Sequence, residues 1–366
     1  MKYLRLFPLI FVFVEACVEP LDVNLFKTTP KLVVDGEITD EQGPYTVQLS
    51  YSTDLETTVH TSAPVVGASV WIERDDGESE RLVETSSGKY TTRSGGIRGV
   101  MGRSYKLKVT TGTGKTYESS YQTIYPAGSL DSVFVSFEPN AIPSAIDPGN
   151  SSDALIVLVN AKGAGLESDL IRWRYRIVYK ARTFPELRTI GTRNGPRPDP
   201  EPCSGYVANG TLITRRGPCT CCICWSTEYG SEVVISKRDY VRNNQFNKLN
   251  LGKIVVNKLL FYDRLYIEVE QVSLSEDVYN FWKLAEAQQK APGNLFQPNA
   301  VQVSGNVFSK DDPGEEVLGI FSASSIERKA IFVDSTAVPY PLPPVVIPYD
   351  CRSALLNATT IKPPFW

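Results

Sequence analysis

KLVVDGE at Lys31–Glu37 and YTVQLSY at Tyr45–Tyr51 determine the fold class, because apolar and polar side chains alternate along both segments. Such alternation is typical of a strand with one buried face and one solvated face. Further short segments of this kind, separated by turn residues, are Ala68–Glu73, Glu80–Glu84, Lys89–Thr92, Ser104–Thr110 and Lys115–Tyr121. Strands at a spacing of about 8–15 residues predict a mainly β fold that starts with an immunoglobulin-like β-sandwich over residues 30–126.

Two loop sequences support this sandwich. Asp76-Gly77 lies between two strand segments and has the composition of a hairpin turn, because glycine accepts a positive φ. Gly102-Arg-Ser-Tyr105 resembles a tyrosine corner, in which a hydroxyl near the start of a strand ties a connecting loop to the sheet. We therefore expect a structural role for Tyr105.

A second, larger β-rich domain is predicted over residues 127–338. Its clearest strand is Ile171–Lys180 (IRWRYRIVYK), which has aromatic and aliphatic side chains on one face and Arg172, Arg174 and Arg176 on the other. An arginine row is usual on a solvated strand face, but the planar guanidinium also suits recognition of carboxylates or sugars. The other predicted strands are Val133–Phe137, Ala154–Asn160, Glu232–Ile235, Asn257–Phe261, Leu265–Gln271, Val301–Phe308, Val317–Ser322 and Ala330–Val333.

Residues 181–225 are predicted to form a long loop, because they are rich in Pro, Gly and Arg and show no periodicity. Long loops in compact domains are often functional. The six cysteines in and beyond this loop are Cys203, Cys219, Cys221, Cys222, Cys224 and Cys351. An even number in an exported chain predicts disulfides, most easily from the 219–224 cluster out to Cys203 and Cys351. A zinc or cuprous copper thiolate site is the alternative, without support from any nearby histidine.

One helix is predicted, over residues 273–290, where Ser273 and Glu276 have the spacing of a capping box. The residues that recur at helical spacing as one apolar stripe are Leu274, Val278, Phe281, Trp282 and Ala285. Such a stripe packs against a sheet. Residues 339–366 are predicted to form an extended Pro-rich tail that Cys351 ties to the rest of the chain.

The first residues have the composition of a bacterial lipoprotein signal peptide. Lys2 and Arg5 precede the apolar run Leu6–Val14, which is too short to span a bilayer. A small residue then stands directly before Cys17, where a lipoprotein peptidase would cut. We therefore predict a signal peptide over residues 1–16, acylation of Cys17 with fatty acids such as palmitate, and a tether over residues 17–29. Two or three acyl chains anchor a protein firmly in a bilayer.

Composition and motif content argue against several function classes. A net charge of −3 supplies no basic stripe for nucleic acid. The single histidine, His60, is not accompanied by a GxSxG elbow, an HExxH pair or a phosphate-binding loop. The sequence therefore predicts a non-enzymatic protein without a metal, a cofactor or a nucleic-acid partner.

A series of short motifs occurs in a fixed order along the chain. They are Leu32-Val-Val-Asp-Gly-Glu-Ile-Thr-Asp40, Gly43-Pro-Tyr-Thr-Val-Gln-Leu49, Val66-Gly-Ala-Ser-Val70, Gly88-Lys-Tyr90, Gly102-Arg-Ser-Tyr-Lys-Leu107, Tyr279-Asn-Phe-Trp-Lys283, Leu295-Phe-Gln-Pro298, Gly305-Asn-Val307, Leu318-Gly-Ile-Phe-Ser322 and Lys362-Pro-Pro-Phe-Trp366. This series resembles the Bacteroidota lipoproteins grouped as domain of unknown function 4249. The resemblance covers nearly the whole chain. It implies a first domain similar to the β-sandwich of carboxypeptidase regulatory modules.

The resemblance also implies a setting, because these proteins are similar to outer-membrane lipoproteins that work with TonB-dependent receptors. We therefore expect a surface-exposed accessory subunit of a TonB-dependent β-barrel, anchored in the outer-membrane bilayer, that helps to capture and import a ligand. A surface adhesion or structural lipoprotein is the first alternative, and a hydrolase acting on surface polymers is the second.

The predicted binding face combines the 181–225 loop with the end of the helix near Asn294–Pro298. Arginine and aromatic residues dominate binding hot spots. The candidate binding residues chosen on this basis are Arg193, Arg197, Arg215, Arg216, Trp225 and Phe296.

Overall fold

Two β-sandwiches joined side by side form this mainly β protein, which confirms the predicted fold class. The computed structural model describes residues 29–53, 62–144, 146–147, 149–165, 169–237, 244–290, 303 and 305–366. The predicted signal peptide, Cys17, His60 and Phe296 lie outside these residues, as does the segment 294–298. Across the described ranges, no helix is long and apolar enough to cross a membrane.

The first sandwich begins with ten short strands. They are β1 (Leu32–Thr39), β2 (Thr46–Tyr51), β3 (Ala63–Pro64), β4 (Ser69–Arg74), β5 (Ser79–Arg81), β6 (Val83–Ser86), β7 (Lys89–Thr91), β8 (Ser104–Thr110), β9 (Thr116–Ser119) and β10 (Gln122–Thr123). One sheet has the order β1-β2-β7-β6 with β3 beside β2, and the other has the order β9-β8-β4-β5 with β10 beside β8. Their inner faces share one core, in which Val34, Leu49, Ile72 and Leu107 are fully buried.

The two predicted loop features of this sandwich are confirmed. Asp76-Gly77 turns between the paired strands β4 and β5, and Gly77 has a φ of 94°. The Tyr105 hydroxyl accepts a hydrogen bond from the Val100 amide at 2.8 Å and donates to the Arg98 carbonyl at 3.1 Å. Tyr105 is therefore a structural residue that ties the loop before β8 to the sheet.

Next in the chain are eleven strands, seven of which belong to the second sandwich. They are β11 (Ser129–Pro143), β12 (Ser151–Lys162), β13 (Ile171–Arg182), β14 (Thr189–Thr192), β15 (Gly195–Pro198), β16 (Tyr206–Asn209), β17 (Leu212–Arg215), β18 (Ile223–Tyr229), β19 (Val234–Ile235), β20 (Gln245–Val255) and β21 (Leu265–Ser273). The sheet β11-β12-β20 packs against the sheet β18-β13-β21, in which β19 also pairs with β13. Trp173 of β13 is buried in the shared core, with its ring edge-on to Phe246 of β20.

One predicted strand of this domain is wrong, and six strands are missing from the prediction, namely β14, β15, β16, β17, β18 and β20. Residues 257–261 do not form a strand: Lys258–Phe261 form a 3-10 turn, because the Asn257 side chain accepts hydrogen bonds from the Leu259 and Leu260 amides. Strand β20 precedes this turn. Two register shifts against β12 interrupt its alternation of apolar and polar residues, which removes the periodic signal of a strand.

The predicted helix is present as α1 (Glu276–Gln289), but it begins later than predicted. Its N-cap is Ser275, whose hydroxyl accepts from the Val278 amide. Ser273 does not cap the helix. It is the last residue of β21, because its backbone pairs with Ile171 and its amide donates to Ser325 O at 3.0 Å.

After α1 the chain returns to the first sandwich, although the sequence assigns residues 127–338 to a second domain. The last strands are β22 (Val307–Ser309), β23 (Leu318–Ser324) and β24 (Ile326–Val333). β22 pairs with β9, and β23 pairs in parallel with β1. The first sandwich is therefore completed by residues of the predicted second domain, while β24 pairs with β21 and completes the second sandwich.

A single residue, Ser325, separates β23 from β24, so the chain crosses between the sandwiches in one step. The Asp40 carboxylate, just after β1, accepts hydrogen bonds from the Ser325 hydroxyl at 2.6 Å and the Ile326 amide at 3.0 Å. The Ser325 amide donates to the Ser273 hydroxyl at 2.8 Å. We call residues 324–326 with Asp40 and Ser273 the crossover.

Helix α1 provides a second connection. Asp277 in its first turn accepts a hydrogen bond from the Ser120 hydroxyl of the first sandwich at 2.7 Å. Tyr279, two residues further along, donates from its hydroxyl to the Ser236 carbonyl of the second sandwich at 2.8 Å.

Residues 339–366, which are predicted to form an extended tail, contain no strand, and their one helix is α2 (Cys351–Ala354). The 3-10 turn Ser335–Ala337 precedes them. Two further 3-10 turns, Pro185–Leu187 and Pro202–Ser204, lie in the segment between β13 and β18.

Candidate functional site

The predicted long loop is shorter and more ordered than expected. β13 extends to Arg182 and β18 begins at Ile223, so both ends of the 181–225 segment belong to strands. Between them, β14 pairs with β15 and β16 pairs with β17 as two hairpins. Their residues are largely exposed and lie outside the two main cores.

Three disulfide pairs hold this segment. Cys203 pairs with Cys221 and Cys224 pairs with Cys351, which are the predicted bridges from the cluster to the two distant cysteines. The third pair, Cys219–Cys222, lies within the cluster, contrary to expectation. It forms because two intervening residues let the chain turn until the Cα atoms are 5.8 Å apart. We call residues 183–222, with these disulfides, the cystine platform.

The structure separates the predicted binding residues. Arg193 and Arg197 are exposed on the β14–β15 hairpin, and Arg215 and Arg216 are exposed at the end of the β16–β17 hairpin. Trp225 is not part of this surface. It lies in β18, half-buried, and its backbone forms two hydrogen bonds with Thr359 of the tail.

A second candidate site is the cleft between the two sandwiches, lined by the outer face of the sheet β18-β13-β21-β24. Alternation directs the arginines of β13 to this face, as predicted, and the glutamates of β21 lie directly beside them in register. Arg174 pairs with Glu270, and Arg176 with Glu268, whose second oxygen accepts a hydrogen bond from Tyr266. The arginine face is therefore a charged network.

The first sandwich supplies the opposite wall of this cleft. Glu37 of β1 forms an ion pair with Arg174 at 2.9 Å, and Glu41 forms one with Arg328 of β24 at 2.7 Å. Arg328 also reaches Glu270 at 2.8 Å. The ion pairs therefore link residues from both sandwiches across the cleft.

These contacts change the proton affinities of the network. Burial would raise the pKa of Glu268, but the hydrogen bonds from Arg176 and Tyr266 outweigh burial and lower that pKa. Burial also opposes the charge of Arg174, yet Glu37 and Glu270 together raise the pKa of its guanidinium. Glu41 differs, because burial raises its pKa despite the nearby Arg328.

Arg172 is the exception among the arginines of the cleft. Its guanidinium carbon lies 3.4 Å from the ring centroid of Trp282 on α1, which is a cation–π distance. Its Nε is buried and has no hydrogen-bond partner. Burial and the positive charge of Arg174 lower the pKa of Arg172 to about 10, so it remains protonated at neutral pH.

The cleft contains space for a ligand. A cavity of ≈ 390 Å³ is lined by Arg172 and its neighbours, with Tyr229 and Gly230 at the β18 edge. An adjoining space of ≈ 690 Å³ lies toward β1 and β2 and shares Arg174 and Arg328 with the first cavity. The volume is that of a small organic ligand.

The tail covers one end of the same sheet face. Phe365 stacks on Tyr266 with ring centroids 4.1 Å apart, and Trp366 meets Phe332 edge-on at 5.6 Å. The Arg264 guanidinium lies 3.9 Å from the Phe332 ring centroid. The Cys224–Cys351 disulfide connects this tail to β18.

Sequence reasoning missed the acidic half of the cleft. Glu268 and Glu270 are two residues apart in the predicted strand Leu265–Gln271, and this spacing places both on one face. That signal indicates a charged strand face, but it does not identify β13 as the neighbour. Glu37 and Glu41 carry no comparable signal, because their partners lie more than 100 residues away along the chain.

The fold and the cleft define a protein of two joined β-sandwiches with a charged, ligand-sized space between them. A family model described as "Domain of unknown function (DUF4249)" matches residues 18–330. The chain therefore belongs to this family, as the motif resemblance predicts. No curated protein shows significant similarity to the chain.

We predict that the long-range disulfide stabilises the fold more than the local one. Replacing Cys224 and Cys351 by serine opens a link across 127 positions and should lower the free energy of unfolding by about 2–5 kcal/mol. The matched Cys219→Ser/Cys222→Ser pair opens a link across only 3 positions and should cost less. Denaturant unfolding of both double variants tests this order, and an equal or reversed cost would contradict it.

We also predict a pH-dependent contribution from Glu268. Its pKa in the folded protein lies below the usual 4.5, so its stabilising contribution is present above that pH and is lost as the pH falls through the folded-state pKa. Glu268→Gln should therefore destabilise the protein at neutral pH, and the difference from wild type should shrink below about pH 4.5. Denaturant unfolding at neutral and acidic pH measures this difference. A difference that stays constant over the range would show that Glu268 acts only through packing.

Proposed function

We propose that this protein is a non-enzymatic, lipid-anchored accessory subunit of a TonB-dependent outer-membrane receptor. In this proposal the acylated Cys17 holds the chain in the outer membrane at the cell surface. The cystine platform contacts the receptor, and the cleft between the sandwiches holds the captured ligand. The family resemblance suggests the setting, and the cystine platform is the structural observation that supports a partner.

The cystine platform has the properties of a pre-organised contact surface. Three disulfides lie within it or at its edge, although its hairpins lie outside the main cores. Covalent links that order a surface segment before binding reduce the entropy lost when a partner binds. Three disulfides in and beside exposed hairpins favour a recognition role over a purely structural one.

The composition of the exposed surface supports the same role. Val207 and Leu212 of the β16–β17 hairpin are 50% and 66% exposed, and Ile190 of the β14–β15 hairpin is 37% exposed. Exposed arginines flank them on both hairpins. Aliphatic residues flanked by arginines suit a contact with a protein, because arginine is enriched at interfaces and apolar area drives association.

We predict that the chain recovers a TonB-dependent barrel in a pull-down from native outer membranes in mild detergent. The tag is placed at the C-terminus so that Cys17 can still be acylated. The variant Arg193→Glu/Arg197→Glu should reduce recovery of the barrel at least about tenfold, because each charge reversal at a hot spot costs more than about 1.4 kcal/mol.

The matched control is Arg81→Glu, which reverses an exposed arginine on β5, far along the chain from the cystine platform. This variant should recover the barrel as well as wild type. Recovery of the lipoprotein alone would contradict the receptor proposal and favour the adhesion or structural alternative. Recovery that falls equally in both variants would show that the platform is not the contact surface.

A further inference from the structure

We propose that the cavity beside Arg172 binds one carboxylate group of a small ligand. This inference gives the proposed capture function a ligand class, and it rests on that function only for its biological setting. It is based on a difference in ion pairing among the four arginines that line the cavity.

Three of these arginines are neutralised by the protein itself. Arg176 is paired with Glu268, and Arg174 and Arg328 share Glu270 between them. The first sandwich contributes one more carboxylate to each of the latter two. A ligand carboxylate would have to displace a glutamate to reach any of the three.

Arg172 has no such partner. It faces Val272 of β21 in the strand register, where Arg174 and Arg176 face glutamates. Its buried Nε makes no hydrogen bond in the protein. Its Nη groups are therefore the donors that it offers to a ligand in the cavity, and a hydrogen bond from a charged guanidinium to a carboxylate is stronger than a neutral one.

The Trp282 ring orients the guanidinium for this contact. The guanidinium carbon is 3.4 Å from the ring centroid, so the ring supports the group at a cation–π distance. The two Nη groups form a fork that matches the two oxygens of a carboxylate, whereas Nε is buried behind them. A lysine at this position would lose both the fork and the stacking.

The charge around the cavity favours a carboxylate over a phosphate. The network contains Arg172, Arg174, Arg176 and Arg328 together with Glu37, Glu41, Glu268 and Glu270. The four arginines and four glutamates balance, so a carboxylate brings one excess negative charge next to Arg172, whereas a phosphate dianion would bring two close to four carboxylates. Like charges at such distances repel strongly in a partly buried site.

Acetate is the minimal probe of this site, and acetamide is its neutral counterpart of the same shape. We expect acetate to raise the melting temperature of the purified full chain in detergent, saturably, relative to acetamide and to sodium chloride at equal ionic strength. A rise of about 2–4 °C is expected once acetate exceeds its dissociation constant about tenfold. Inorganic phosphate should give less than half of that rise.

Two variants test the role of Arg172 in acetate binding. Arg172→Gln should abolish the difference between acetate and acetamide, and Arg172→Lys should weaken apparent acetate binding about tenfold or more, because it keeps the charge but loses the fork. The matched control is Arg182→Gln, which removes an arginine on the same face of β13 whose guanidinium lies 5.2 Å from the Phe184 ring, outside the cavity lining. It should leave the acetate effect unchanged.

A crystal structure of the wild-type protein with acetate provides a measurement that does not depend on the variants folding. Acetate bound bidentately to the Arg172 edge would support the inference. An equal response to acetate and sodium chloride, or an acetate effect that survives Arg172→Gln, would overturn it. A chain that binds acetate but recovers no barrel would refute the receptor proposal alone, so the two failures are distinguishable.

Discussion

The parallel pairing of β1 with β23 is the constraint on which the rest of the structure depends. This pairing brings residues 318–324 beside residues 33–39 and commits the chain to the first sandwich just before it enters the second. Gly319 permits the close approach, because its φ is 85° and a Cβ there would lie 1.9 Å from the Val34 carbonyl oxygen. With Ser325 as the only residue between β23 and β24, the two sheets cannot separate without breaking the pairing of one of them.

The charged cleft is a consequence of the direct connection between β23 and β24. In an isolated sandwich, a strand face with three arginines would be solvated, and the two glutamates of β21 would balance the charge of only two of them. The crossover instead brings β1 and the start of the following loop against this face, so Glu37 and Glu41 become additional partners. Ion pairs between two sandwiches fix the relative position of the sandwiches more than they stabilise the folded protein, because desolvation offsets much of their Coulomb energy. They hold the walls of a ligand-sized space at a defined separation.

Much of the fold could be predicted from the sequence because its signals are local. Alternation identifies most strands of the first sandwich, and it correctly separates the buried and outward faces of β13. The features that were missed depend on contacts between distant segments. Nothing near residues 318–324 indicates a parallel partner almost 300 residues earlier, so the sequence assigns these residues to the second domain, whereas they pair with the first sandwich. The extension of β21 through Ser273 likewise depends on Ser325, and it moves the helix cap to Ser275.

The candidate sites likewise combine features that local sequence predicts with features that depend on contacts between distant segments. The cysteine count predicts disulfides, but the local pair Cys219–Cys222 depends on how the backbone turns between the two residues. Arginines on β13 are visible in the sequence, whereas the difference between Arg172 and its neighbours arises only from the register with β21 and the position of α1. Arg172 stands out only because it has no ion-pair partner. Identifying this site therefore requires the ion-pair partners of all the other charged residues in the cleft.

The central claim is that the crossover joins the two sandwiches into one cooperative unit. Scanning calorimetry of the full chain tests it most directly, with the disulfides intact in every sample. We predict one unfolding transition in wild type, with equal calorimetric and van't Hoff enthalpies, because neither sandwich can unfold without losing β23 or β24. Two separate transitions in wild type, one for each sandwich, would contradict the account.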